Sequence, residues 1–324
     1  MLPGLLLQPV SEAKLESGLV IAGHGRHVLV ERADGERLIC HPRGKKSQAV
    51  VGDHVLWLAT QDEGTIEKVQ PRRNLFYRQD EMRTKSFAAN LDQVLILIAA
   101  EPEFSESQLS RALIAAEAEH IQPLIALNKS DLRDAFARAW DRLQPYRAMG
   151  YPVLPLALKP REEPLLATAQ DQLLAVLRDK TTLVLGPSGS GKSSLINRLL
   201  PDAGVLTQEI STALNSGKHT TTSTQLYWID AARRSAVIDS PGFQEFGLHH
   251  IEPMQLARLM PDFAPHVSEC KFYNCTHLHE PGCGVLQILK RGQGETTGAD
   301  APSISESRYK IYCTLFEELS QTRY

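Results

Sequence analysis

Three short segments of this chain carry residue types whose spacing suits phosphate and guanine chemistry, and a fourth suits a metal. Gly186-Pro187-Ser188-Gly189-Ser190-Gly191-Lys192-Ser193 fits G-x-x-x-x-G-K-[ST], followed by Ser194. Its glycines let consecutive backbone N–H groups turn inward around phosphate oxygens. Lys192 can reach the β and γ oxygens, and Ser193 can ligate magnesium.

Asn128-Lys129-Ser130-Asp131 fits N-K-x-D. The carboxylate of Asp131 can accept from both the ring N1–H and the exocyclic amine of guanine, donors that adenine does not offer together. A site whose buried polar group is left unpaired by the wrong substrate can reject it by about 10⁴-fold, so the segment argues for GTP over ATP. Asp239-Ser240-Pro241-Gly242 fits D-x-x-G, in which Asp239 meets Mg²⁺ through water and the Gly242 amide faces the γ-phosphate. Between these, Gly217-Lys218-His219-Thr220-Thr221-Thr222 is a polar segment able to supply a switch threonine to the same ion. Thr221 is the first choice and Thr222 the second.

Cys270-x₄-Cys275-x-His277-x₅-Cys283 places three thiolates and one imidazole in one short stretch. That is the Cys₃His set of a closed, four-coordinate structural zinc site, with no position left open for hydrolysis. In a cytosolic chain such clustering favours metal over disulfides. Cys40 and Cys313 read as buried apolar filler, and His249, His250 and His279 as surface residues.

The elements that must position these groups follow from periodicity. Residues 17–70 alternate apolar and polar in short runs, with a turn at Asp34-Gly35 joining His27–Arg32 to Glu36–His41. Five short strands fit a small barrel of the OB type, although an SH3-like barrel gives nearly the same pattern. From residue 92 the chain alternates strand and helix: Gln93–Ala99, Glu106–Glu119, Pro123–Leu127, Leu132–Met149, Val153–Leu156, Leu165–Leu177, Thr182–Leu185 and Lys192–Leu200. Such alternation builds a doubly wound parallel α/β sheet, and the motifs fall at the carboxyl ends of its strands, where ligands bind. Tyr309, Tyr312, Phe316 and Leu319 recur at spacings of three and four and form an apolar helix face able to pack back on the core. The expected division is a barrel at 1–75, a GTPase domain at 76–245 and a zinc-binding helical domain at 246–324.

A chain of 324 residues that is 42% hydrophobic can bury cores in two or three domains. Lys and Arg number 35 against 38 Asp and Glu, so no global basic field argues for nucleic acid and any RNA contact is local. Two local candidates stand out, the loop His41–Lys46 and a linker from Lys68 to Lys85 bearing basic residues at 68, 72, 73, 78, 83 and 85. Within that linker, Phe76 and Tyr77 could stack on bases or seal the barrel. The N-terminus lacks a signal-peptide pattern, and the aliphatic run 94–100 is far shorter than the roughly 20 residues of a membrane span. A cytoplasmic protein with no membrane partner, monomeric by default, is the expectation.

Motif order is the informative oddity. An ordinary GTPase places the phosphate loop first and N-K-x-D late, whereas here 128–131 precedes 186–193. Joining the termini of such a domain and opening a loop elsewhere preserves the sheet. In this order, with the N-terminal barrel, G-K-H-T-T-T, D-S-P-G and C-x₄-C-x-H-x₅-C, the chain from about 17 to 320 resembles the circularly permuted, ribosome small subunit-dependent GTPase A (RsgA) family. The resemblance implies a late assembly factor that binds the small ribosomal subunit and its rRNA, hydrolyses GTP to GDP with Mg²⁺, and is stimulated by the subunit. Two departures from the family or from GTPases at large are visible. No serine stands at Pro155-Leu156-Ala157-Leu158, where the guanine-backing loop is expected, and Phe243 stands where many GTPases have a water-orienting Gln. His219 is then the candidate to orient water. The competing reading is a P-loop nucleotide hydrolase acting on a small molecule or a metal centre.

Overall fold

The computed structural model describes residues 15–24, 27–43, 49–60, 63–159, 163–200, 224–241, 243, 246–292 and 304–321. The N-terminal part contains β1 (Glu16–His24), β2 (His27–Glu31), β3 (Arg37–Pro42), β4 (His54–Ala59) and β5 (Gly64–Val69). Their order is β1-β2-β3-β5-β4, and β4 pairs back onto β1. The pairing of β3 with β5 is parallel and the others are antiparallel. This closed Greek-key order is that of the OB barrel and decides between the two barrels the sequence allowed. Inside, Val20, Val30, Cys40, Val55, Trp57 and Ile66 form one apolar cluster. Cys40 is thus core filler, and burial pushes its thiol pKa up to about 12.

The stretch expected to be a linker is partly regular. After β5, β6 (Leu75–Gln79) and β7 (Thr84–Ala89) form an antiparallel hairpin with its own small sheet. Phe76 is fully buried, packs on Phe87 and Phe246 and shares a core cluster with Ile21, Leu29 and Val51 of the barrel, so it presents no face to a base. Most of the basic side chains here serve the fold. Arg72 holds the buried Asp53 at 2.7 Å, Arg73 holds Asp92 at 2.9 Å, and Arg78 lies 3.6 Å from Asp80.

The alternating region contains β8 (Gln93–Ala99), α1 (Glu106–Ala118), β9 (Gln122–Asn128), α2 (Arg133–Arg142), α3 (Gln144–Ala148), β10 (Val153–Pro155), α4 (Glu163–Leu177), β11 (Thr181–Leu185) and α5 (Lys192–Leu199). The helix expected over 132–149 is broken at Leu143, because Pro145 sits in the first turn of α3 and cannot continue a helix from before it. Two further strands, β12 (Gln225–Trp228) and β13 (Ala236–Asp239), complete the order β10-β9-β8-β11-β13-β12. All neighbours are parallel except β12 on β13. β8 and β9 are almost continuously buried, as strands covered on both faces must be. The outer strand β12 also pairs with β1 at Ala22 and Gln225, which joins barrel and α/β sheet edge to edge.

The C-terminal part holds a 3₁₀ segment (Pro253–Leu259), then α6 (Ala264–Val267), α7 (Gly284–Gly292) and α8 (Glu306–Ser320). Tyr312, Phe316 and Leu319 of α8 are buried as the spacing required, Tyr309 is half-buried, and Leu315 is buried beside them. Arg308 of α8 is also buried and forks onto Asp262 with bonds of 2.8 and 2.9 Å, while donating to Ser110 of α1 at 2.7 Å. No helix among the described residues is long and apolar enough to cross a membrane.

Candidate nucleotide site and metal centre

The phosphate-loop segment leaves the end of β11 and enters α5 through Gly191, whose φ of +100° lies in the left-handed region that favours glycine. Space demands glycine as well: a Cβ at Gly191 would lie 2.3 Å from Asn128 Nδ2, and one at Gly186 would lie 2.6 Å from the Leu97 carbonyl. Gly189, at φ +81°, packs against Pro102. At these three positions the loop backbone packs too closely on Asn128, Leu97 and Pro102 to carry a side chain without a shift.

Asn128 ends β9 and clamps that turn. Its Nδ2 donates to the Ser190 carbonyl at 2.9 Å, and its Oδ1 accepts from the Leu158 N–H at 3.1 Å. The Ser130 N–H donates to the Leu156 carbonyl at 2.9 Å. Where the sequence lacks a serine, the main chain of Leu156–Leu158 therefore braces the N-K-S-D loop directly. Lys129, at φ +69°, donates to the Glu101 carbonyl.

A cavity of about 800 Å³ opens over these loops. Asn128, Lys129 and Asp131 line one end; Gly186 through Gly189 and Gly191 through Ser194 line the other; Leu158, Lys159, Pro241 and Phe243 complete the wall. Its size suits a nucleotide-scale ligand. Ser190 is buried behind the turn with no hydrogen-bond partner for its hydroxyl. Lys192 Nζ forms an ion pair with Asp239 at the end of β13. The structure thus brings Asn128, Lys129, Asp131, the phosphate loop, Lys192, Ser193 and Asp239 together. His219, Thr221, Thr222 and Gly242 lie outside the described residues. Phe243 lines the wall as its place after D-S-P-G implied, whereas Lys159 is a wall residue that motif reading did not assign to the cavity, because it belongs to no fixed-spacing signature.

Phe243 is buried, 6.1 Å between ring centroids from Phe246. Its apolar ring offers no donor or acceptor to water. Just before it, Lys85 of β7 donates to the Pro241 carbonyl at 2.6 Å. That contact could not be read from any local signal.

The second site is the cysteine cluster. The ligand atoms of Cys270, Cys275, His277 and Cys283 all lie within 4.8 Å of one another. Cys270 and Cys283 sulfurs are 3.9 Å apart, and His277 Nδ1 lies 3.4 and 3.5 Å from them. Tetrahedral zinc, with bonds of about 2.3 Å to sulfur and about 2.0 Å to nitrogen, separates sulfurs by about 3.8 Å and sulfur from nitrogen by about 3.5 Å. Cys270, His277 and Cys283 therefore already stand at tetrahedral spacing, and Cys275, within 4.8 Å of them, supplies the fourth ligand with a small closing movement. Two hydroxyls of α8 hold the cluster on the core: Tyr309 donates to the His277 carbonyl and Tyr312 to the Thr276 carbonyl, each at 2.9 Å. Of the histidines read as surface residues, His279 is exposed. His249 and His250 are half-buried, and the His250 ring lies tilted against Tyr77 at 4.4 Å between centroids.

An α/β sheet with its guanine motif ahead of its phosphate loop, an OB barrel before it and a Cys₃His cluster after it define a circularly permuted P-loop GTPase. The chain belongs to the RsgA GTPase family, whose model matches residues 69–249. It is 68% identical over 310 residues to the small ribosomal subunit biogenesis GTPase RsgA of Variovorax paradoxus, covering 96% of this chain and 94% of that protein. The protein of the same name from Paraburkholderia xenovorans is 50% identical over 309 residues, covering 94% and 93%. Among solved structures, YjeQ from Thermotoga maritima superposes with a TM-score of 0.70 at 29% identity over 96% of this chain and 100% of that one. YloQ, described as a circularly permuted GTPase, gives 0.67 at 26% identity over 98% and 100%.

Proposed function

We propose that this GTPase acts in the cytoplasm on the small ribosomal subunit as a late assembly factor, hydrolysing GTP when the subunit and its rRNA engage it. The observation that carries the reading is the single cavity lined at one end by Asn128, Lys129 and Asp131 and at the other by the phosphate loop and Lys192. The printed names of the relatives supply the subunit.

In this reading Asp131 accepts from guanine, and the backbone of Gly186–Ser194 with Lys192 holds the phosphates. The hydroxyls of Ser193 and Thr221 and the carboxylate of Asp239 are hard oxygen donors suited to magnesium, which would neutralise charge between the β and γ oxygens. The Gly242 amide faces the γ-phosphate. Phe243 cannot orient the attacking water, so turnover alone is slow, on the scale of roughly 10⁻⁴ to 10⁻² s⁻¹. His219 takes that role when the subunit engages, and His219→Ala retaining full stimulated hydrolysis would remove it from the scheme. The Cys₃His cluster holds one structural zinc ion, and the protein acts as a monomer. Its working parts are a barrel at 1–75, a GTPase domain at 76–245 and a zinc-binding domain at 246–324.

Sedimentation with purified small subunits, in GTP and in GDP, tests the reading. Nucleotide-dependent co-sedimentation with stimulated phosphate release is expected. No binding in either state would leave a hydrolase of some other target.

A further inference from the structure

Among the described residues, the exposed aromatic side chains are two neighbours, Phe272 and Tyr273, at 41% and 100% exposure. Every other described Phe, Tyr or Trp is buried or half-buried. A fully solvated tyrosine beside a solvated phenylalanine gains nothing from the core, and both stand on the turn between the first two cysteines of the cluster.

That turn is braced at both ends. Cys270 and Cys275 belong to the Cys₃His set, the Lys271 N–H donates to the Gly282 carbonyl at 3.0 Å, and the Cys275 N–H donates to the Phe272 carbonyl at 3.3 Å. Lys271, Phe272, Tyr273 and Asn274 are all exposed, with Lys271 Nζ 5.6 Å from the centre of the Phe272 ring. The nearby Glu280 carboxylate is turned inward, accepting from the Thr276 N–H at 2.8 Å and from its hydroxyl. The turn thus offers flat π faces, a cation and an amide on a backbone held in place beforehand.

We propose that Lys271–Asn274 is a stacking platform for unpaired RNA bases. Flat rings accept any base, a lysine beside them meets the phosphate, and an amide can bond a base edge. An aliphatic partner surface would need none of these three features. Ordering the turn before contact spares the entropy of fixing two aromatic side chains on binding. The platform rests on the small-subunit reading above and names which surface of the zinc-binding part touches RNA.

The test uses full-length, zinc-loaded protein with small subunits carrying 4-thiouridine in their RNA. Irradiation is expected to cross-link the RNA to the peptide containing residues 271–274. Phe272→Ser with Tyr273→Ser should lower subunit affinity roughly ten- to hundredfold, with zinc content and intrinsic GTP hydrolysis unchanged. Tyr273→Trp should retain affinity, whereas Tyr273→Leu should lose it. Full affinity in the double variant, or cross-links confined to other regions, overturns the platform alone. Full affinity in Tyr273→Leu makes the patch an apolar contact with protein and also overturns it. Wild-type protein that fails to sediment with the subunit takes down both the platform and the reading beneath it.

Discussion

Lys85, on the hairpin that follows the barrel, donates to the carbonyl of Pro241 in the D-S-P-G turn at 2.6 Å, across 156 positions of sequence. Burial and the neighbouring Arg78 lower the pKa of this lysine, and its ammonium also lies 5.1 Å over the Phe87 ring. The Pro241 segment that lines the cavity is therefore held by the segment leaving the barrel. Lys85→Met keeps the apolar stem and removes the donor. It should slow GTP turnover by about tenfold, the order expected for one charge-assisted hydrogen bond, with little change in nucleotide affinity. Single-turnover kinetics beside equilibrium GTP binding decide the matter, and an unchanged rate would confine Lys85 to a structural role.

Asp131 lines the end of the cavity away from the phosphate loop, with Lys129 beside it, where the proposed reading puts guanine. Asp131→Asn presents a donor where guanine needs an acceptor, so GTP affinity should fall by about 10²-fold or more while xanthosine nucleotides gain. Competition binding with GTP and XTP measures this directly, and equal GTP affinity in the variant would reject the assignment.

Lys192 reaches Asp239 across the phosphate end of the site. In the proposed reading its ammonium follows the β and γ oxygens. Lys192→Ala should cut turnover by roughly 10²- to 10³-fold, comparable to losing a main stabiliser of transition-state charge. Phosphate release under saturating GTP reports it, and activity within a few-fold of wild type would exclude the lysine from that role.

His250 packs on Tyr77 with no hydrogen-bond partner for either ring nitrogen. Burial, with a smaller contribution from His249, lowers its pKa from 6.5 to about 4. Between those values the unfolded chain binds the proton and the folded chain does not. Stability is therefore intact above pH 6.5 and declines as pH falls toward 4, by on the order of 1–2 kcal/mol after allowance for partial solvent access. His250→Phe keeps the ring contact and should flatten that slope. Urea midpoints at pH 7 and pH 5 would expose the error if both proteins lost stability equally.

Residues 243–269 run from the D-S-P-G turn to the first cysteine, and Phe246 stacks on Phe87 while its carbonyl accepts from Arg111, which also forks onto Glu318 of α8. Cys275→Ala or Cys283→Ala should release zinc and disorder the knuckle, since structural zinc contributes on the order of 10 kcal/mol to such modules. Intrinsic GTP hydrolysis should stay nearly intact, while subunit binding and stimulation fall. Variants that lack zinc yet respond normally to the subunit would reduce the cluster to a staple.

Local chemistry was legible from the chain because it is local. The phosphate loop needs its glycines and lysine within eight residues, N-K-S-D needs four, and the cysteine cluster fits within fourteen. Strand and helix periods were equally readable: β8 at Gln93–Ala99 and the buried face of α8 fall where alternation and the spacing of Tyr312, Phe316 and Leu319 put them. Motif order alone announced the permutation, since no folding step changes the order in which a chain presents its motifs.

What required the tertiary structure was everything set by long-range pairing. The basic stretch 68–85 reads in sequence as a linker able to meet RNA, yet Arg72 meets Asp53 and Lys85 meets Pro241, partners 19 and 156 positions away whose proximity no period encodes. Glu31 of the barrel accepts from the Trp228 indole of β12 at 2.7 Å, and Arg308 finds Asp262 and Ser110, 46 and 198 positions away, inside one core. Barrel type was decided in the same way. Alternation specifies which face of each strand is apolar, but the closure of β4 on β1 and the parallel pairing of β3 with β5 depend on which edges meet once the core has formed. The sequence by itself determined which groups can do chemistry; only the folded chain decided which of its charges remain available to do it, because burial and pairing are properties of neighbours in space.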